Sequence, residues 1–147
     1  MKIIPAEVTH AEAISARLVT HFEAINQEFG FEKYKTDYDL MYKHVSQRIS
    51  EQSEFSYIVL TTDDDQFIGF ANTLVTNGVG ELLVVDVISE YLDESSLSLL
   101  ISRAVELLKE SNVHTIFTEI PESKPLLRAL LIKHGLKVVM QRAILRV

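Results

Sequence analysis

The segment from Glu81 to Lys109 constrains the fold more than any other. A near-continuous apolar run, Leu82 to Val87, crosses a short polar loop and becomes a strongly periodic helix. The run has the length and β-branched content of a buried strand. The helix puts Leu97, Leu100, Ile101, Ala104, Val105 and Leu108 on one face. A strand that feeds a helix through a short loop is half of a crossover unit, where α/β proteins bind anions or cofactors. The segment is therefore expected to hold both the centre of the fold and the site.

The rest of the chain sets outer bounds. With 147 residues, one domain spanning 1–147 is expected, large enough to bury a full core. The absence of cysteine excludes a disulfide scaffold, a thiol nucleophile and a thiolate metal site. No apolar run approaches the roughly 20 residues of a membrane span. Met1–His10 lacks the apolar core of a signal peptide, so a cytoplasmic location is the expectation. A net charge of −7 without a local run of lysine and arginine argues against nucleic acid as a partner.

Lys2–Ala6 reads as a first strand. Thr9 with Glu12 forms a candidate capping box for a helix carrying Ile14, Leu18, Phe22, Ile25 and Phe29, which should stop near Gly30. A second helix is expected from Asp37 to about Ser50, with Tyr38, Met41, Val45 and Ile49 facing inward. Strands follow at Phe55–Thr61 and Phe67–Val75, separated by the turn-forming Asp63-Asp64-Asp65; Gly69 marks a bulge or close approach. Asn77-Gly78 signals a tight turn into the Glu81–Val87 strand. After the Leu97–Lys109 helix come a strand at Val113–Ile120, a helix capped by Ser123 and closed by Gly135, and a terminal strand or bent strand pair from Leu136 to Val147. The order β-α-α-β-β-β-α-β-α-β describes an α/β chain of the mixed-sheet, α+β kind, and not a doubly wound nucleotide fold.

Three local patterns, in this order, resemble the GCN5-related N-acetyltransferase family over nearly the whole chain. They are Ile68-Gly69-Phe70-Ala71 in a third strand, Val87-Ile88-Ser89-Glu90-Tyr91 leaving a fourth, and Leu130-Leu131-Ile132-Lys133-His134-Gly135-Leu136 ending the last helix. The resemblance implies an acyl-CoA N-acyltransferase fold and transfer of an acetyl group from acetyl-CoA to a primary amine by direct attack in a ternary complex. It also implies cofactor contacts from Val85 and Val87 on the strand, and from Ser95, Ser96 and Leu97 at the helix start. The chain departs from the family at two places. Its phosphate loop reads Leu92-Asp93-Glu94-Ser95-Ser96-Leu97, acidic where the family is basic and glycine-rich. Leu131 stands where many members place a proton-donating tyrosine, and Lys124 roughly where an asparagine is common. A second reading therefore stands beside the first: a non-catalytic binding or regulatory protein on the same scaffold, without use of acetyl-CoA.

Acyl transfer to an amine needs a base for the amine and donors for a developing oxyanion. Glu81 is the leading candidate base. Period-two alternation puts it on one face with Leu83, Val85 and Val87. Glu119, at the end of the next strand, is second. Backbone N–H groups where Leu83–Val87 splays from Val113–Ile120 are candidate oxyanion donors. Asp86, a charge inside an apolar run, faces either a cleft or solvent. Tyr34, Tyr38 and Tyr42 are candidates to line an acceptor pocket, with a plain packing stripe as the alternative. The histidines at 10, 21, 44, 114 and 134 show no metal-site spacing. The apolar segment Lys137–Val147 needs a cover, and a homodimer through this strand is the expectation.

Overall fold

The computed structural model describes residues 1–51, 53–138 and 145. It contains β1 (Lys2–Pro5), α1 (Ala11–Phe29), α2 (Tyr38–Glu51), β2 (Phe55–Thr61), β3 (Phe67–Thr76), β4 (Val79–Val87), α3 (Glu94–Glu110), β5 (Thr115–Phe117) and α4 (Pro125–Lys133). The five strands form one mixed sheet in the order β1-β2-β3-β4-β5. The first three pairings are antiparallel and the last, β4 with β5, is parallel, as a crossover through α3 requires. The α+β mixed-sheet class expected from the element order is the one observed.

Alternation along the strands sends side chains to two cores. Ile58 and Leu60 of β2 pack with Leu100, Ile101, Ala104, Leu130 and Leu131 under α3 and α4. Tyr57 and Val59 pack with Ile14, Leu18 and Val45 under α1 and α2. Two bulges interrupt this alternation. On β3, Leu60 pairs with Gly69 but Thr61 with Phe67, so Ile68 is the extra residue. On β4, Asn72 pairs with Val84 but Thr73 with Leu82, so Leu83 is the extra residue. Gly69 is a close-approach position: a Cβ there would land on the Asp86 carbonyl oxygen of the neighbouring strand. Asn77 and Gly78 both take positive φ, 52° and 77°, which gives the twist that a two-residue hairpin turn needs.

Several expected details shift. Thr9 lies inside a short 3-10 turn, Val8–His10, whose cap is Glu7; the Glu7 N–H donates to His10 Nδ1 at 3.0 Å. Thr9 therefore caps nothing, and the box uses Glu7 and His10 instead of Thr9 and Glu12. Ser123 does not cap α4. Its N–H is held by Glu28 at 2.8 Å, and Lys124 occupies the cap position. Strand β5 keeps only three residues of the expected eight-residue run. Leu136–Val138 belong to no regular element, and the rest of the expected terminal strand, apart from Leu145, lies outside the described residues together with the dimer edge built on it.

Candidate active site

Strand β4 is two-sided over its first third and one-sided after it. Val79, Gly80 and Glu81 pair with Thr115, Ile116 and Phe117 of β5. The ladder then stops, while pairing with β3 continues to Val87. At the point of separation the Thr118 hydroxyl donates to the Leu82 carbonyl at 2.7 Å. The chain leaving β5 then turns toward α1, where Glu28 holds the Ser123 N–H and Lys124 Nζ lies 3.0 Å from His21 Nδ1. Among the described residues, no ladder partner follows β4 from Leu83 to Val87, so an open seam runs along that edge.

On the α1 side of the seam, the Leu83 bulge makes two successive residues, Leu83 and Val84, face the same way. With Glu81 they wall a cavity of about 240 Å³ between the sheet, α1 and α2. The period-two expectation was correct for Glu81 and Leu83 and wrong for Val85 and Val87, whose side chains pack on the opposite face with α3. An extra residue in a strand inverts every position beyond it. Glu119 borders the same cavity, so the structure brings the two candidate carboxylates together. Partial burial, and then the charge of Glu119, raise the Glu81 pKa above the ordinary glutamate value. The remaining walls are mostly apolar, including Phe22, Ile25 and Met41. Of the three tyrosines considered, only Tyr34 lines the cavity; Tyr38 and Tyr42 stack on each other at 6.2 Å on the exposed side of α2. Asn72 also lines it, and its side chain is 4% exposed with Oδ1 unpartnered. A buried carbonyl without a donor carries a desolvation cost that a ligand N–H can relieve.

Asp86 does not reach solvent. It lies 7% exposed on the α1 face, where Arg17 grips it through Nε and through Nη2 at 3.1 Å, and Lys124 Nζ approaches to 3.7 Å. Burial and the Lys124 charge lower the His21 pKa to about 4, so the ring is neutral at pH 7 and accepts from the Lys124 ammonium. Burial lowers the Lys124 pKa as well. The sequence did not nominate Arg17, His21 or Asn72. The available signals were a charge inside the β4 run, which demands a cation, and the i,i+4 pair Arg17–His21 beside an apolar helical stripe.

At the other end of the seam, α3 begins with its own anion. The Asp93 carboxylate accepts from the Ser96 N–H at 2.7 Å, and the Asp93 carbonyl takes the Leu97 N–H at 3.3 Å. Ser96 and Leu97 are buried, and Ser95 is exposed. Lys133 of α4 reaches Glu94 at 2.9 Å, bringing a cation to the helix start that the local sequence lacks. Leu131, 1% exposed, is a core residue with no proton to give.

The solved structures similar to this chain include a ribosomal-protein-alanine N-acetyltransferase from Brucella melitensis biovar Abortus 2308, 10% identical with a TM-score of 0.68 and all of both chains covered. An aminoglycoside N-acetyltransferase in complex with CoA is 13% identical with a TM-score of 0.71, over 99% of this chain and 93% of that one. The chain has the GCN5-related N-acetyltransferase fold. A transcriptional regulator from Bacillus halodurans C-125 is similar to the same degree, with 15% identity, a TM-score of 0.72 and 99% of both chains covered. By sequence, the chain matches no family model and no curated protein. No helix among the described residues is long and apolar enough to cross a membrane.

On this acetyltransferase fold, a cofactor's amide-bearing arm fits the edge of β4 away from β3, where Leu83–Val87 have no ladder partner among the described residues. Its phosphates fit less fully. The Glu94 and Ser95 N–H groups have no partner among the described residues, and Lys133 is close, but Asp93 already occupies the Ser96 N–H.

Proposed function

We propose that the chain is an N-acetyltransferase that acetylates a primary amine of a small molecule or protein by direct attack in a ternary complex, in the cytoplasm. The observation that carries this reading is Glu81, a half-buried carboxylate of raised pKa where β4 and β5 part, facing a largely apolar cavity. When bound, acetyl-coenzyme A supplies an acetyl group activated as a thioester. The backbone edge of Val85 and Val87 and the Glu94–Ser95 end of α3, with Ser96 and Leu97 behind it, would hold it. Glu81 takes the proton that an entering ammonium must lose before its lone pair can attack, and a base of raised pKa accepts that proton more readily. The charge of Glu119 contributes to that raised pKa. N–H groups on the β4 edge beyond Glu81, which have no ladder partner among the described residues, are the donors at hand for a developing oxyanion.

Calorimetric titration with acetyl-coenzyme A, followed by a screen of amine acceptors, tests the reading. Micromolar binding and turnover that rises with pH through the Glu81 pKa are expected, with kcat lowered about 10²–10⁴-fold in Glu81→Gln. No binding up to millimolar concentration by folded protein would overturn it. One observation favours a non-catalytic regulatory protein instead: Asp93 sits on the helix N–H where a phosphate would dock. That reading predicts no turnover with any amine, and no acetyl-coenzyme A binding by the parent chain.

A further inference from the structure

We infer that the cavity takes a zwitterion: an amino-carboxylate whose ammonium and carboxylate are separated by an apolar segment of several bonds. This rests on the reading of the cavity as an amine site and adds a second pole to it. That pole is Arg48 of α2, which lines the same cavity. Its guanidinium stacks 3.8 Å over the Phe55 ring and reaches the Tyr57 hydroxyl at 3.5 Å, and it has no carboxylate partner among the described residues. Among the described residues, the other cations beside the seam are paired: Arg17 and Lys124 with Asp86, and Lys133 with Glu94. A half-buried, aromatic-stacked guanidinium held ready in this way suits bidentate recognition of a carboxylate.

The sheet register sets the distance between the poles. Phe55 pairs with Leu74, and Leu74 with Glu81, so the ring that Arg48 stacks on and Glu81 lie in one row two strands apart. At about 4.8 Å per strand, that is roughly 10 Å between backbones. The span between them carries apolar side chains and Asn72, whose unpartnered Oδ1 can accept a hydrogen from the ligand's ammonium or amide. A plain alkylamine would leave Arg48 desolvated without an anion. A plain carboxylate would meet Glu81 with the wrong sign.

Calorimetry with 6-aminohexanoate, hexylamine and hexanoate on the full chain separates these cases without requiring turnover. The zwitterion is expected to bind at least about tenfold more tightly than either singly charged analogue, the ratio that one charge-assisted contact supplies. Arg48→Gln should bring 6-aminohexanoate down to the level of hexylamine, while Arg48→Lys, which keeps the charge but not the fork, retains part of the preference. Circular dichroism and Tm of both variants check that the fold persists. Equal affinities for the three compounds, no binding of any, or a preference that survives Arg48→Gln overturns the inference. Acetyl-coenzyme A binding is measured separately, so loss of the acetyl-transfer reading would appear in that titration and not in this one.

Discussion

The two faces of β4 are built from one nine-residue strand and serve different ends. Toward α3 and α4, Leu82, Val85 and Val87 meet an unbroken apolar layer in which the buried side chains are aliphatic. Toward α1 and α2, Glu81, Leu83, Val84 and Asp86 meet His21, Arg17 and Asn72, a layer that mixes aromatic, charged and amide groups. The first face stabilises by area alone. The second carries desolvation costs that its own pairings only partly offset, and a fold tolerates such a layer where ligands must be recognised.

Removing Asp86 should break this contrast most severely. Asp86→Ala leaves the half-buried Arg17 and Lys124 without their anion, at a cost of up to about 3–5 kcal/mol in urea unfolding. Ile101→Ala, on the aliphatic face, is the matched comparison at about 2–5 kcal/mol from cavity formation. The two variants should differ in salt response: added salt should rescue neither the Ile101 cavity nor the lost packing, but should partly screen the excess positive charge left by Asp86→Ala.

Acid should act on the polar face alone. Folded His21 has a pKa of about 4 against 6.5 for the unfolded ring, so between these values the unfolded state binds more protons. Stability is therefore fully present above pH 6.5 and is lost as pH falls toward 4, by at most about 3 kcal/mol for this group. In His21→Phe, Tm should fall less between pH 7 and pH 4.5 than in the wild type; an unchanged slope would remove His21 from the account.

The smallest effect is expected at the start of α3. Asp93→Ala should cost about 0.5–2 kcal/mol through the lost cap. If Asp93 competes with a phosphate for the Ser96 N–H, the same variant should bind acetyl-coenzyme A more tightly than the parent does, as read by calorimetry.

Much of this was legible in the residues because short-range rules governed it. The α1 and α3 stripes, the Asn77-Gly78 turn and the close approach at Gly69 each follow from spacing or from backbone stereochemistry. What escaped depends on events a local pattern does not contain. The Leu83 bulge reversed the expected facing of Val85 and Val87 relative to Glu81, and nothing in Glu81–Val87 marks where an extra residue is accommodated. Asp86 stood out as an oddity, but its partners lie 69 residues upstream on α1 and on the cap of α4. Arg48 drew no notice because a single arginine on an amphipathic helix is ordinarily a solvated one; what distinguishes it after folding is a stacked guanidinium with no carboxylate partner among the described residues.

The Leu83 bulge also shapes how this chain can change over generations. Substitutions along β4 adjust the cavity wall one side chain at a time and leave the facing of its neighbours intact. Loss of Leu83 would restore regular alternation with Val84 still opposite Asn72 and Leu82 still opposite Thr73, so Glu81 would keep its facing and the cavity would lose one wall. Descendants of this sequence should therefore be able to lose Leu83 without turning Glu81, at the expense of one cavity wall, and a comparison that scores identity alone would count that loss no differently from any other.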